Sequence, residues 1–350
     1  MSIENQIYDT NTLLGVMREF APVNNYWLNL CFPGEMTFDS EYIDFEKLFT
    51  NRKLAPFVAP TAQGVPIYGE GSNVTRLKPA YIKPRDAVRP DRMIRRKPGE
   101  LLSTSPMSPL QRWKAVVADI ARTHREAIER RWEWMAFQAV ANGGVTISGP
   151  DYPERYVDFK RDASQTKTLT GAAAWNGANA DPIADINSWR SATRRLKFGG
   201  ALTRMTCGAE ALEALLNNDK VKAELNTDVR GTSADLNRGV RAGLEAEYIG
   251  TLGSGLEIWS YQDYFEDENG DAVEIMDPKD VILTGNVEGI RAFGAILDKR
   301  ADLRPLPIFP KMWEVEDPSG TNIMSQSAPL MVPGAPNRTL RARVIDPSNS

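Results

Sequence analysis

Residues 108–144 read SPLQRWKAVVADIARTHREAIERRWEWMAFQAVANGG, and this stretch decides the fold. Ser108 followed by Gln111 at the capping-box spacing, with Pro109 between them, predicts the beginning of a helix. Asn142-Gly143-Gly144 predicts its end. With a rise of 1.5 Å per residue the helix would be about 50 Å long, far beyond the usual helix of about 11 residues. We therefore predict a helix over residues 108–142 that serves as the spine of the molecule.

The periodicity of this stretch predicts which face of the helix is buried. Apolar side chains recur at steps of three and four residues, which is typical of an amphipathic helix. The predicted buried stripe comprises Leu110, Trp113, Val117, Ile120, His124, Ile128, Met135 and Ala139. The charged side chains predicted to lie mainly on the other faces are Arg112, Lys114, Arg122, Arg125, Glu126, Glu129 and Arg130.

On the N-terminal side of the helix, residues 51–107 are rich in proline and glycine. Proline removes a backbone donor and stops helices, so we predict an extended segment. A loop of this length is usually functional or a linker. Its second half, residues 83–97, is basic but has little aromatic interleaving, so an extended hairpin that makes ion pairs or faces water is favoured over a nucleic-acid patch.

Residues 1–50 combine turn residues with aromatic anchors such as Tyr26, Trp27 and Phe32. Disordered tails are depleted in such side chains. Two interpretations stay open: a first structural layer of the same domain, or an arm that buries its aromatic side chains against a neighbouring chain. The N-terminus lacks the features of a secretion signal, so we expect folding in a cytoplasm.

On the C-terminal side, helices and strands alternate. Residues 145–159 suggest two strands, 183–196 a helix, and 198–310 a second region of mixed elements. In that region we predict a helix over 208–225, strands at 256–261 and 281–283, and a hairpin turn at Asn269-Gly270. Within the last part of the chain, the segment from Met324 to Ile345 is apolar and extended, and we expect it to return to the sheet of the first region.

Composition excludes several classes of protein. The 350 residues are 42% hydrophobic and 25% charged, as in ordinary foldable proteins. Lysine and arginine total 42 against 46 acidic residues, a net charge of -4 that argues against a dedicated nucleic-acid binder. No run approaches the roughly 20 apolar residues of a membrane span.

The sequence offers no catalytic, cofactor-binding or metal-binding residues that we would single out. His124 is the only histidine, so we expect it to serve packing. Cys31 and Cys207 give no zinc pattern, and whether they pair stays open. Gly250–Gly255 lacks the lysine of a phosphate loop, and Asp267–Asp271 lacks the acidic positions of a calcium loop, so both are interpreted as turns.

Three segments resemble a known family. They are Tyr81-Ile82-Lys83-Pro84-Arg85 through Arg95-Arg96-Lys97-Pro98, the Tyr264–Gly285 hairpin with Val-Ile-Leu-Thr-Gly-Asn, and Ser325-Gln326-Ser327-Ala328-Pro329-Leu330-Met331. In this order and spacing they resemble the lambda-type major head proteins of tailed phages, which have the Hong Kong 97-like fold. The scattered similarity covers nearly the whole chain.

The resemblance implies an α+β capsid fold in five parts: an N-terminal arm (1–50), an extended β-hairpin loop (51–107), a peripheral domain with the spine helix (108–197), an axial domain (198–310) and a C-terminal return to the peripheral domain (311–350). It implies hexamers and pentamers of an icosahedral shell around double-stranded DNA, which the chain faces without sequence-specific binding. A scaffolding protein, a decoration protein and a portal are the implied partners, in a virion assembled in the host cytoplasm.

Two alternatives to this interpretation stay open. A cellular encapsulin-like nanocompartment shares the fold and differs in its contents. An enzyme with an unrecognised site would need a deep pocket with converging carboxylates. Without a cofactor or a recognisable site, the sequence favours a structural protein over an enzyme.

Overall fold

The computed structural model describes residues 25–39, 43–49, 71–94, 108–149, 152–226, 246–252, 255–266, 270–317 and 319–349. Its helices are α1 Tyr26–Cys31, α2 Asp91–Ile94, α3 Pro109–Asn142, α4 Pro182–Arg195, α5 Ala209–Asn217 and α6 Asp219–Glu224. The first strands are β1 Gly34–Thr37, β2 Ile43–Phe49, β3 Gly71–Leu77, β4 Arg85–Val88, β5 Gly144–Gly149, β6 Tyr152–Asp158 and β7 Thr166–Thr168. The second region begins with β8 Arg204–Cys207, β9 Leu225–Asn226, β10 Ala246–Leu252, β11 Leu256–Tyr261, β12 Tyr264–Glu266, β13 Ala272–Glu274, β14 Asp280–Thr284 and β15 Ile290–Phe293. The last strands are β16 Phe309–Val315, β17 Gly320–Gln326, β18 Pro329–Val332 and β19 Thr339–Arg343.

The predicted spine helix is confirmed as α3, 34 residues long. Ser108 accepts a hydrogen bond from the backbone of Gln111, and the Gln111 side chain accepts one from the backbone of Ser108, which completes the capping box. Gly143 ends the helix in the left-handed region at φ 68°. Arg161 donates to the carbonyls of Val140 and Ala141 at 2.8 Å each, so a cation satisfies the C-terminal end of the helix.

The buried face of α3 is wider and more polar than its sequence predicts. Arg112 and Glu129, which we assigned to the other faces, are 9% and 6% exposed. Leu110, which we assigned to the buried stripe, is 48% exposed. The reason is that α3 is surrounded on several sides, so its charged residues are buried with local partners; Arg125 Nε, for instance, lies 2.7 Å from Glu129 Oε1.

The largest sheet has seven strands in the order β7-β19-β14-β8-β11-β10-β9. The β7–β19 and β8–β11 pairs are parallel, and the other pairs are antiparallel. Two three-stranded sheets, β1-β15-β18 and β16-β17-β4, lie along α3. The remaining pairs are the ribbons β2-β3, β5-β6 and β12-β13.

Two large cores hold the chain together. The first packs α1 and the C-terminal half of α3 against β15 and β18, and it includes Trp27, Trp132 and Phe293. The second packs α4 and α5 against the seven-stranded sheet, with Trp189 and Leu215 buried in it. Cys31 lies in the first core and Cys207 in the second, and both thiols are free. Cys31 and Cys207 therefore do not form a disulfide.

One sequence expectation for the C-terminal half needs correction. The helix predicted over 208–225 is interrupted at Asn218, whose Oδ1 accepts hydrogen bonds from the amides of Lys220 and Val221 and so starts a second helix. In the segment 311–350, β17, β18 and β19 all contact α3, and β19 also pairs with β14 and β7 in the seven-stranded sheet. The boundaries of the five-part division stay predictions.

The segments before α3 are partly described. Residues 25–39 form a layer of the same chain, since Tyr26, Trp27 and Phe32 are buried in the first core. Residues 1–24, 50–70 and 95–107 lie outside the described residues, and with them most of the expected arm and part of the basic run. Within the extended loop, β3 pairs with β2 in an antiparallel hairpin, while β4 pairs with β17.

Candidate functional site

The structure anchors the N-terminal helix α1 at both ends on the rest of the chain. The Glu133 carboxylate accepts hydrogen bonds from the backbone amides of Trp27 (2.7 Å) and Leu28 (2.8 Å). At the other end, Arg291 donates to the carbonyl of Phe32 (2.8 Å) and to that of Leu28 (3.3 Å). An anion at the N-terminus and a cation at the C-terminus both stabilise a helix dipole. This clamp fixes α1 on the first core.

Glu133 is 2% exposed, and burying a carboxylate is costly unless hydrogen bonds compensate. The two amide donors on α1 supply that compensation. Burial lowers the pKa of Arg291, and the negative charge of Glu35, foremost among the nearby carboxylates, partly offsets this effect. Sequence periodicity did not single out Glu133, and because Glu129 was assigned to the other faces, its spacing of four residues from Glu133 gave no signal of a buried polar contact.

A second polar contact attaches the extended loop to the spine. The ring nitrogens of His124 lie 3.1 Å from Ser325 Oγ on β17 and 3.0 Å from Asp86 Oδ2 on β4. His124 is 2% exposed, so the packing role that we expected is joined by two hydrogen bonds. Around it, Trp113 and Ile323 belong to a small core between α3 and the β16-β17-β4 sheet.

A third contact connects Tyr81 of the extended loop to the C-terminal strands. The Tyr81 hydroxyl donates to Gln326 Oε1 (3.0 Å) and accepts from the amide of Leu297 (2.9 Å). Burial raises the pKa of Tyr81, which keeps the phenol a donor. Asp298 in turn accepts from Lys311 Nζ (2.7 Å) and Gln326 Nε2 (2.9 Å). The loop is thus held by side chains that are far apart in sequence.

The surface of the described residues carries features that suit contacts between chains. Large apolar side chains are exposed at several separate places: Met36, Ile94, Leu110, Tyr156, Phe198, Tyr264, Val273, Leu297 and Leu303. An open groove of about 900 Å³ runs between residues 78–83 and α3. A second, of about 680 Å³, separates α3 from the β12-β13 ribbon. Single exposed apolar side chains are normal on a protein surface, so the two grooves are the features that suit contact with another chain.

The described side chains offer little for metal binding or nucleophilic chemistry. In the part of the chain that the structure describes, no group of three or more His, Cys, Asp or Glu side chains could hold a metal ion. Burial raises the pKa of both cysteines far above its ordinary value, so neither thiol is an activated nucleophile. Among the same residues, no helix combines the length and the apolar character that crossing a bilayer demands.

Comparison with known proteins gives the family. The profile of a family described as phage major capsid protein E matches residues 9–344. The major capsid protein of Enterobacteria phage P21 is 26% identical over 336 residues, which cover 93% of this chain and 96% of that protein. The major capsid protein of Escherichia phage lambda is 26% identical over 345 residues, covering 95% and 97%.

A comparison of structures gives the fold independently. The crystal structure of a prophage capsid protein of Escherichia coli CFT073 superimposes with a TM-score of 0.72, covering 96% of this chain and 99% of that one at 23% identity. The expected α+β fold class is thereby confirmed. The chain belongs to the phage major capsid protein E family, the lambda-type major capsid proteins, and it has their Hong Kong 97-like fold.

Proposed function

We propose that this chain is the shell-forming major capsid protein of a tailed phage, assembling into the hexamers and pentamers of an icosahedral shell around double-stranded DNA. The observation that carries the proposal is the match of the family profile to residues 9–344, nearly the full length. A shell subunit must place several contact surfaces on one chain, because each copy meets several neighbours. The two open grooves and the anchored extended segments provide such surfaces.

The contacts of the anchored segments support a role for these segments in docking on neighbouring subunits. The clamp on α1 and the His124 contact to β4 fix both extended parts at their bases on a rigid spine. An extended segment that is ordered at its base loses less conformational entropy when it docks on a neighbour. We propose that residues 1–50 and 51–107 act as the arm and loop, with 108–197 and 311–350 as the peripheral domain and 198–310 as the axial domain.

The finer aspects of function are also proposals. A structural role follows from the family, and we propose further that the chain catalyses no reaction. A scaffolding protein, a decoration protein and a portal are proposed partners, with assembly in the host cytoplasm and a final location in the virion. Net charge of -4 supports a wall that faces packaged DNA without gripping it.

Expression with the neighbouring genes of its source tests the proposal. Particles are separated by sedimentation and imaged by electron microscopy, and their contents are digested with nuclease before extraction. Shells that protect double-stranded DNA support the proposal. Shells that enclose a protein cargo instead would indicate a nanocompartment, and a soluble protein that never assembles would contradict a shell role.

A further inference from the structure

The groove of about 900 Å³ between residues 78–83 and α3 is open to solvent. Its floor and walls are mainly apolar and aromatic, with Tyr81 and Trp134 half-buried in them. Lys83 Nζ lies 4.5 Å from the centre of the Tyr81 ring, and the Arg131 guanidinium lies 5.2 Å from the Trp134 ring. The groove therefore presents aromatic faces with cations stacked on them.

The charge of this groove is of one sign. Three cations line it, Lys78, Lys83 and Arg131, and no aspartate or glutamate does. Lys83 and Arg131 are exposed. In a chain with more acidic than basic residues, such a surface selects an occupant that combines apolar side chains with negative charge.

One element of the same chain has that combination. The β12-β13 hairpin pairs Tyr264 with Glu274 and Phe265 with Val273. Tyr264 and Val273 are 59% and 38% exposed. Residues 263–274 hold six carboxylates and no lysine or arginine: Asp263, Glu266, Asp267, Glu268, Asp271 and Glu274. Phe265 packs the ribbon against the first core, and the face that carries Tyr264 remains open to a partner surface.

The hairpin does not fill the groove of its own chain. Residues 262–266 line the second groove, on the other side of Arg131 and Trp134, and none of residues 262–274 lines the first. Each chain thus carries one acidic hairpin and, separately, one basic groove. A heterologous contact that uses each surface once per chain can be repeated around a closed ring.

We infer that the basic groove receives the acidic β12-β13 hairpin of a second copy of the chain. The inference rests on the proposed function, since it describes one contact of the assembled shell. Tyr264 shares one face of the ribbon with Glu266 and Glu274, so the exposed tyrosine enters the aromatic trough while these two carboxylates face the cations of the rim. The contact weakens at high salt, because 1 M salt shortens the screening length to about 3 Å.

Disulfide trapping tests which surfaces meet. A chain that carries Ser148→Cys in the groove and Ala272→Cys on the Tyr264 face of the hairpin is assembled and then oxidised. We expect a ladder of linked chains on a non-reducing gel. Ser148→Cys paired with Leu303→Cys is the matched control, because Leu303 is exposed but lies on neither surface. The native Cys31 and Cys207 are buried and contribute no background.

The outcomes separate the inference from the proposed function. A ladder that needs both cysteines supports the inference. Shells that form normally without a ladder overturn the inference and leave the shell function standing. Failure of the unsubstituted chain to form any shell would instead contradict the proposed function.

Charge reversal gives an independent readout. Lys83→Glu with Lys78→Glu, two cations that line only the first groove, raises the concentration needed for assembly about tenfold or more, as does Glu266→Lys with Glu274→Lys. Combining all four substitutions restores assembly toward that of the unsubstituted chain. If the combined variant is no better than either pair while circular dichroism shows that it is folded, the hairpin and groove do not meet.

Discussion

Replacing Glu133 by glutamine tests the clamp that holds α1 on the spine. The carboxylate accepts two amide hydrogen bonds, at 2.7 and 2.8 Å, from Trp27 and Leu28. A glutamine retains one acceptor and turns an NH₂ group toward the other amide, so one hydrogen bond is lost and two donors face each other. Hydrogen bonds to charged groups contribute about 1.5–3 kcal/mol each, so we expect Glu133→Gln to destabilise the contact by about 2–4 kcal/mol.

Native-state hydrogen exchange of the unassembled subunit measures this loss of stability at the backbone amides of Trp27 and Leu28. A loss of about 2 kcal/mol corresponds to roughly 30-fold faster exchange at Trp27 and Leu28. The matched control is Glu126→Gln, an exposed carboxylate on the same helix, which we expect to alter stability by less than about 0.5 kcal/mol. Unchanged exchange at both amides in Glu133→Gln would refute the clamp.

Three further substitutions test the other contacts of the spine. Arg161→Ala removes the cation at the C-terminus of α3 and should cost about 2–3 kcal/mol in urea unfolding. His124→Ala leaves a cavity and deprives Ser325 of its partner, and we expect a loss of about 2–4 kcal/mol by the same assay. Hydrogen bonds from the Gly171 amide, foremost, and from a nearby serine lower the pKa of Asp346 from 3.8 to about 2. Because this pKa is depressed in the folded state, its stabilisation is present above about pH 4 and is lost as the pH falls toward 2. The stability difference between the native chain and Asp346→Asn should therefore shrink across that window.

Each of these predictions has a control and a contrary result. Lys114→Ala, on an exposed position of α3, controls for the loss of a cation, and a cost equal to that of Arg161→Ala would show that the carbonyl contacts are immaterial. Asp317→Asn controls for the loss of an exposed carboxylate. If the stability difference between the native chain and Asp346→Asn does not depend on pH, the hydrogen bonds to Asp346 do not stabilise the fold. If the stability of His124→Ala lies within about 0.5 kcal/mol of the native chain, the His124 contact does not stabilise it either.

Features of the fold that depend on local sequence could be predicted. Both ends of α3 followed from Ser108, Gln111 and Gly143, because capping involves residues within one turn of each other. The strand Leu256–Tyr261 followed from its composition in the same way. The break at Asn218 was missed, although an asparagine before Asp219 is an ordinary helix start, because the apolar periodicity continues across it.

Contacts between distant residues could not be predicted. His124 meets Ser325, 201 positions away, and Glu133 meets Trp27, 106 positions away. Periodicity identifies a buried face but does not say which polar groups that face will meet. For the same reason the strand partners of β19 could not be named from the sequence: an apolar strand fits either sheet, and only the whole fold decides that it pairs with β14 and β7.

Assembly of the purified chain is the measurement that tests the central claim most directly. Sedimentation velocity and electron microscopy would follow the protein alone and with the scaffold-like product of the neighbouring gene. The account predicts rings of five and six subunits or closed shells. A compact monomer that persists under both conditions would contradict the claim that this chain builds a shell.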